Sequence, residues 1–127
     1  MRSLPCLLTS LLLAAAPTLA RAADDAAMLK LATSSGCLTC HQIEPGGKGP
    51  DGMAPIGPAW REVAARYKAQ AGAVDQLTRT VMTGSNPYAS HWKGKVSGLA
   101  MPPNEVAIKE ADARALVGWI LSLPAAK

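Results

Sequence analysis

Phenylalanine is missing from this chain of 127 residues, and its aromatic side chains are three Trp and two Tyr. A small domain so short of large apolar side chains buries too little surface to fold well alone, so apolar mass has to come from elsewhere. Also missing is any run of the roughly 18 to 20 apolar residues that a membrane-spanning helix needs. The one apolar stretch, residues 4–16, is shorter and is interrupted by Pro5, Cys6, Thr9 and Ser10. Lys and Arg never gather beyond a pair or a gapped triplet, and the formal net charge of +4 falls to +2 without Arg2 and Arg21. Neither feature supports nucleic-acid binding. No segment alternates apolar and polar residues in the manner of a strand, and no internal repeat is present. Histidine occurs only as His41 and His91, so a four-ligand zinc site with Cys37 and Cys40 would have to recruit His91, which is distant in sequence.

The amino-terminal segment reads as an export signal. Arg2 supplies the positive start, the broken apolar stretch follows, and Ala20-Arg21-Ala22 offers a small-x-small cleavage pattern. Residues 1–22 are therefore expected to be a cleaved signal peptide and residues 23–127 a single domain with no membrane anchor. Cys6 would leave with the signal. It lies ahead of most of the apolar run, where a lipid-attachment cysteine does not belong.

Against these absences stands Cys37-Leu38-Thr39-Cys40-His41, the attachment signature of a c-type haem. Residues three and four apart on a helical turn share a face, so thiols at i and i+3 can reach two vinyl groups on one porphyrin edge. His41 then leans under the ring, and the ligand on the opposite face decides what the iron can do. Met101, followed by the stiff Pro102-Pro103 pair, is the leading candidate. Its competitors are Met28 and Met82 on helical stripes, Met53 in a loop, and His91; the plainer alternative for Met101 is a gap-filling core residue. The cysteine pair has plainer alternatives too, a structural disulfide or a thioredoxin-like redox pair. The latter wants a preceding strand, and the sequence places a helix there.

Four segments carry a helical period. Residues 26–34 put Met28, Leu31 and Ala32 on one stripe, with Asp24 and Asp25 at the favourable end of the helix dipole. Pro58 suits a first helical turn, after which Trp60, Val63, Ala64 and Tyr67 share a face. Val74, Leu77, Val81 and Met82 form a third stripe, with Gly84 placed to end it. In the last, Glu110 and Asp112 favour the first turn, Leu116, Trp119, Ile120 and Leu123 form the stripe, and Pro124 stops it. Trp119 belongs to the core by its place in that stripe. An all-α domain follows, with two long irregular connections at residues 42–57 and 85–108. Structureless loops of that length are uncommon unless they serve a purpose, and wrapping a flat cofactor is one.

In this order, the haem motif, Ile56-Gly57-Pro58-Ala59-Trp60, Met101-Pro102-Pro103-Asn104 and the terminal Leu116-Val117-Gly118-Trp119-Ile120-Leu121 resemble the small periplasmic monohaem branch of the bacterial class I cytochromes c. The resemblance covers nearly the whole of residues 23–127. It implies one covalent haem c joined by thioethers at Cys37 and Cys40, with axial ligands His41 and Met101. It further implies a Pro58 carbonyl bonded to the other nitrogen of His41, Asn104 close to the Met101 sulfur, and Trp92 donating to a propionate. The chain departs from the pattern in a longer loop before Pro58 and in Arg79, which falls about one residue from where a propionate-binding arginine is expected. Lys109 stands where Ser, Thr or Asp more often caps a helix.

The functional expectation is a periplasmic one-electron carrier, not an enzyme, serving a donor dehydrogenase and an acceptor oxidase or reductase. Lys48, Lys93 and Lys95 either rim the haem edge for an acidic partner or are simply solvated loop charges. Two alternatives stand beside that expectation. One is the haem c subunit of an oxidoreductase complex, for example with a molybdenum sulfite-oxidising partner. The other is a haem enzyme with an open distal face.

Overall fold

The computed structural model describes residues 16–126. Four helices carry the fold: α1 (Ala16–Ser34), α2 (Trp60–Tyr67), α3 (Ala73–Thr83) and α4 (Glu110–Ser122), with short 3₁₀ turns at Cys37–Thr39, Pro50–Gly52 and Pro87–Ala89. Among the described residues no strand forms, and the only strand-like pairing is an isolated bridge between Lys93 and Val96. No helix among them is long and apolar enough to cross a membrane.

α4 is the hub, packed against α1, α2 and α3. Its buried Ala113, Leu116 and Ile120 join Ala32, Trp60, Ala64, Ile108 and Leu123 in one core cluster. Ala32, Ala64 and Ala113, one each from α1, α2 and α4, are all 0% exposed. A methyl group at each position lets three backbones meet closely, which is how the domain builds a core without Phe. The indole of Trp119 meets Trp60 edge to face, with ring centroids 5.8 Å apart, in the T-shaped arrangement that aromatic quadrupoles favour.

Two helix starts differ from the sequence expectation. α1 already runs at Ala16, the first described residue, instead of starting near residue 26, so the cut expected after Ala22 falls inside it, and residues 1–15 of the expected signal lie outside the described residues. Asp24 and Asp25 are consequently interior to α1 in the uncut chain, and a cut after Ala22 would leave them in its first turn. Asp25 instead accepts a 2.6 Å hydrogen bond from Trp119 Nε1, tying α4 to α1. Pro58 is likewise outside a helix: α2 starts at Trp60, with Ala59 as its N-cap and Glu62 reaching back to accept from the Ala59 N–H. The start is shifted because the first helical N–H groups are already claimed. Trp60 donates to the Gln42 carbonyl at 2.8 Å and Arg61 to Ile43 at 3.2 Å. α3 ends as expected at Gly84, whose φ of 84° is a left-handed conformation that suits glycine.

Lys109 is the N-cap of α4 and makes no side-chain capping bond. A serine there would accept from the orphan N–H groups of the first turn. Lys109→Ser is expected to raise stability by about 1 kcal/mol. The urea midpoint of unfolding, at unchanged denaturant slope, measures it.

Candidate haem site

The haem motif follows directly from the end of α1. Its Cys37–Thr39 segment is a 3₁₀ turn, and Cys40 and His41 both donate their N–H groups to the Cys37 carbonyl, at 3.3 and 3.1 Å. This tight winding places two free thiols one turn apart with the imidazole next in line. Burial pushes the Cys37 thiol pKa above its ordinary value; a backbone hydrogen bond opposes that shift and the neighbouring Cys40 adds to it.

His41 is held from behind. Its Nδ1–H donates to the Pro58 carbonyl at 2.8 Å, so the ring carries its proton there and leaves the Nε2 lone pair uncommitted. Pro58 can accept because it sits ahead of α2, where no intrahelical N–H competes for its oxygen. The imidazole stacks on Trp60 with centroids 6.0 Å apart and planes at 28°. Desolvation lowers the His41 pKa, partly countered by the Pro58 bond. The neutral, metal-binding form therefore persists to lower pH than in a free histidine.

The second long loop is fastened on both sides. Ser97 and Gly98 donate to the Pro55 and Ile56 carbonyls at 2.9 and 3.0 Å, which joins it to the loop after the haem motif. At its far end Ser85 N–H donates to the Met101 carbonyl at 2.9 Å, and Met101 N–H donates to Ser85 Oγ at 2.8 Å. Met101 is thus stitched by its backbone to the residue just beyond the α3 cap.

Between these parts lies a cavity of about 330 Å³. It is lined by Cys37, Cys40, His41, Pro58, Trp92 and Met101, with Leu77 and Val81 of α3 and Leu116 and Ile120 of α4 among its apolar wall. No Asp, Glu, Lys or Arg lines it. Six of the seven expected site residues therefore converge, although they span residues 37–101. The seventh, Asn104, is not in the lining. Its amide donates to the Val81 and Pro102 carbonyls at 3.2 and 2.6 Å, so its place is in holding the Met101 loop against α3.

The competing ligands separate as well. Met28 and Met82 pack on the core, Met53 is 57% exposed, and none of the three lines the cavity. His91 does line it, with its Nδ1 bonded to Arg66 Nη2 at 2.8 Å. Arg79 is outside the lining, and the adjacent Thr80 is within it. Sequence reasoning passed over Arg66, which stands beyond the α2 stripe and meets His91 across 25 positions; no local pattern signals such a pair.

A cavity with an apolar wall, two unpaired thiols and an uncommitted imidazole nitrogen in its lining suits a c-type haem, and the class is that of the small haem c proteins. The chain belongs to the cytochrome c family, whose model, described as Cytochrome c, matches residues 29–124. It is 42% identical over 95 residues to cytochrome c-551 of Allochromatium vinosum, covering 75% of this chain and 84% of that protein. Against cytochrome c2 of Rubrivivax gelatinosus the identity is 38%, covering 75% and 95%. The crystal structure of Nitrosomonas europaea cytochrome c552 superposes with a TM-score of 0.57 at 34% identity, covering 74% of this chain and 96% of that one. The all-helical architecture is thus the class I cytochrome c fold, and the protein carries one covalently attached haem c for electron transfer rather than catalysis.

Gly57 tests the seat of His41. A Cβ there would stand 2.8 Å from His41 Cε1 and 3.2 Å from the Cys40 carbonyl oxygen. Gly57→Ala is expected to push the imidazole off the Pro58 carbonyl and to cost about 1–3 kcal/mol. Gly118→Ala, with nothing within 4 Å of the added carbon, should not destabilise. Denaturation curves followed through the haem absorption distinguish the two.

Proposed function

We propose that this chain is a periplasmic one-electron carrier whose haem iron is held between His41 Nε2 and the Met101 sulfur. The observation that carries the reading is the arrangement of His41: its Nδ1–H is committed to Pro58, and its remaining nitrogen belongs to a residue that shares a cavity wall with Met101. When bound, the haem supplies a reversible one-electron couple, and a thioether ligand favours the reduced state relative to nitrogen or oxygen donors.

The protein's own part is to hold. Cys37 and Cys40 tether the ring through thioethers, and Pro58 fixes the His41 plane. Ser85 and Asn104 anchor the Met101 loop. Trp92, in the wall, is read as a propionate donor. His91 is disfavoured as the sixth ligand. Arg66 donates to its Nδ1, so the neutral ring carries its proton on Nε2 and has no lone pair left for iron. Were His41 and Met101 both to hold the iron, they would leave it no position for oxygen or substrate. The partners under this reading are a donor dehydrogenase and an acceptor oxidase or reductase, met after export.

Met101→Ala is expected to abolish the weak near-infrared charge-transfer band of a thioether-ligated ferric haem, whereas His91→Ala leaves it in place. The reverse pattern would overturn the distal assignment, and a high-spin spectrum in the unmodified protein would favour an open-site enzyme.

Export carries its own expectation. Residues 1–22 are removed, so the mature protein begins near Ala23 and exceeds its polypeptide mass by one haem. Intact-mass spectrometry of periplasmic material reads both values. A mature form that keeps residues 1–20, or that lacks covalent haem, counts against the assignment.

A further inference from the structure

We propose that His91 and Arg66 together form the cationic anchor for one propionate of the haem, with His91 as the contacting donor and Arg66 as the positioning residue behind it. The inference rests on the haem occupying the cavity described above. Haem carries two propionate carboxylates, and a carboxylate set against an apolar wall without a donor is costly. Yet no Lys or Arg lines this cavity. Arg79 lies outside the lining, so the cation expected from α3 is not supplied there, and the lining residue beside it is the neutral Thr80.

Only two lining residues carry a basic side chain, His41 and His91. The first is engaged with Pro58. The second has a cation at its back: Arg66 Nη2 donates to His91 Nδ1 at 2.8 Å. That bond places the ring's remaining N–H on Nε2, which makes it a donor polarised by a full positive charge. Tyr67 completes the support. Arg66 lies 5.7 Å from the Tyr67 ring centroid, and the Tyr67 ring lies 6.0 Å from that of His91. Tyr67 also lines the cavity, so a buried aromatic wall fixes both partners.

Among the described residues no carboxylate pairs with Arg66: the ion pairs join Arg61 to Glu44 and Arg114 to Asp75. An arginine that spends its donor on a cavity-lining histidine, with no carboxylate of its own, suits an acidic group brought in by the cofactor. Arg66 and His91 lie on α2 and on the loop that also carries Met101, so the anchor would further link those two elements.

The test uses the full-length holoprotein with its haem attached, at low ionic strength and about pH 8, above the ordinary carboxylate and imidazole ranges. Reduction potentials are compared for Arg66→Gln, Arg66→Lys, His91→Ala, the Arg66→Gln/His91→Ala pair and the surface control Lys68→Gln. Removing the anchor leaves the propionate charge unopposed, which stabilises ferric iron. Arg66→Gln is expected to shift the ferric/ferrous equilibrium roughly threefold to tenfold towards ferric. Arg66→Lys should restore most of the shift, and the double variant should change little beyond the larger single effect. Lys68→Gln, a screened surface charge, should move the equilibrium by less than about twofold. Nuclear magnetic resonance of carboxyl-labelled haem should show one propionate, not both, altered in Arg66→Gln and in His91→Ala. Equal effects of Arg66→Gln and Lys68→Gln, or unchanged propionate resonances, would overturn the proposal. The thioether band, read in the same samples, reports the axial ligation separately, so failure of that assignment is distinguishable from failure of the anchor.

Discussion

The bond from His41 Nδ1–H to the Pro58 carbonyl, 2.8 Å long, is the constraint on which the rest of the site depends. It fixes the tautomer of the imidazole and ties the haem motif to the entry of α2. It does not act alone. Gly57 donates to Cys40, Trp60 to Gln42 and Arg61 to Ile43, so residues 40–43 and 57–61 run beside each other as a short laced seam. The long loop between them is thereby closed at its base, and its Gly- and Pro-rich interior has no need to be regular. The same seam explains why α2 starts where it does: its first N–H groups are satisfied by the haem-motif segment and not by a side-chain cap.

The core reflects the composition that opened the sequence analysis. Without Phe, the helices meet on buried alanines, and the larger apolar side chains of α3 and α4 are shared between the core and the cavity wall. Leu116 and Ile120 serve both. A protein arranged this way has its cofactor as a structural partner, because the wall side chains lose their apolar contact when the cavity is emptied. Trp119 illustrates the economy of the scheme. One ring packs edge to face on Trp60 and donates its N–H to Asp25, and so joins three helices.

Much of this was legible in the sequence where the signal is local. The haem motif, the stripe of α4 and the glycine ending α3 are all short-range patterns with a direct physical cause, and each appears in its expected place. The order of motifs carried the fold class. What escaped was set by contacts between distant segments. Pro58 suited a helical first turn by propensity, but the Gln42 and Ile43 carbonyls moved the start of α2 to Trp60. The bonds of the Asn104 amide to the Val81 and Pro102 carbonyls likewise had no local mark. The meeting of Arg66 with His91 leaves no mark in either neighbourhood, since it arises only when the second loop folds back over α2.

The fastening of the Met101 loop has a consequence for the speed of electron exchange. Gain or loss of an electron changes the charge at the centre of the cavity, and every dipole free to swing in response adds to the reorganisation that must precede transfer. Met101 is bonded to Ser85 through both its N–H and its carbonyl, and Asn104 grips Val81 through backbone and side chain alike. The adjoining prolines have no N–H to redirect, and Gly84 presses against the Met101 carbonyl so closely that an added Cβ would stand 3.0 Å from its oxygen. Little in that wall is free to move. A loop outside every helix thus acquires nearly the rigidity of the helix end to which it is bonded, and the two charge states find almost the same surroundings waiting for them.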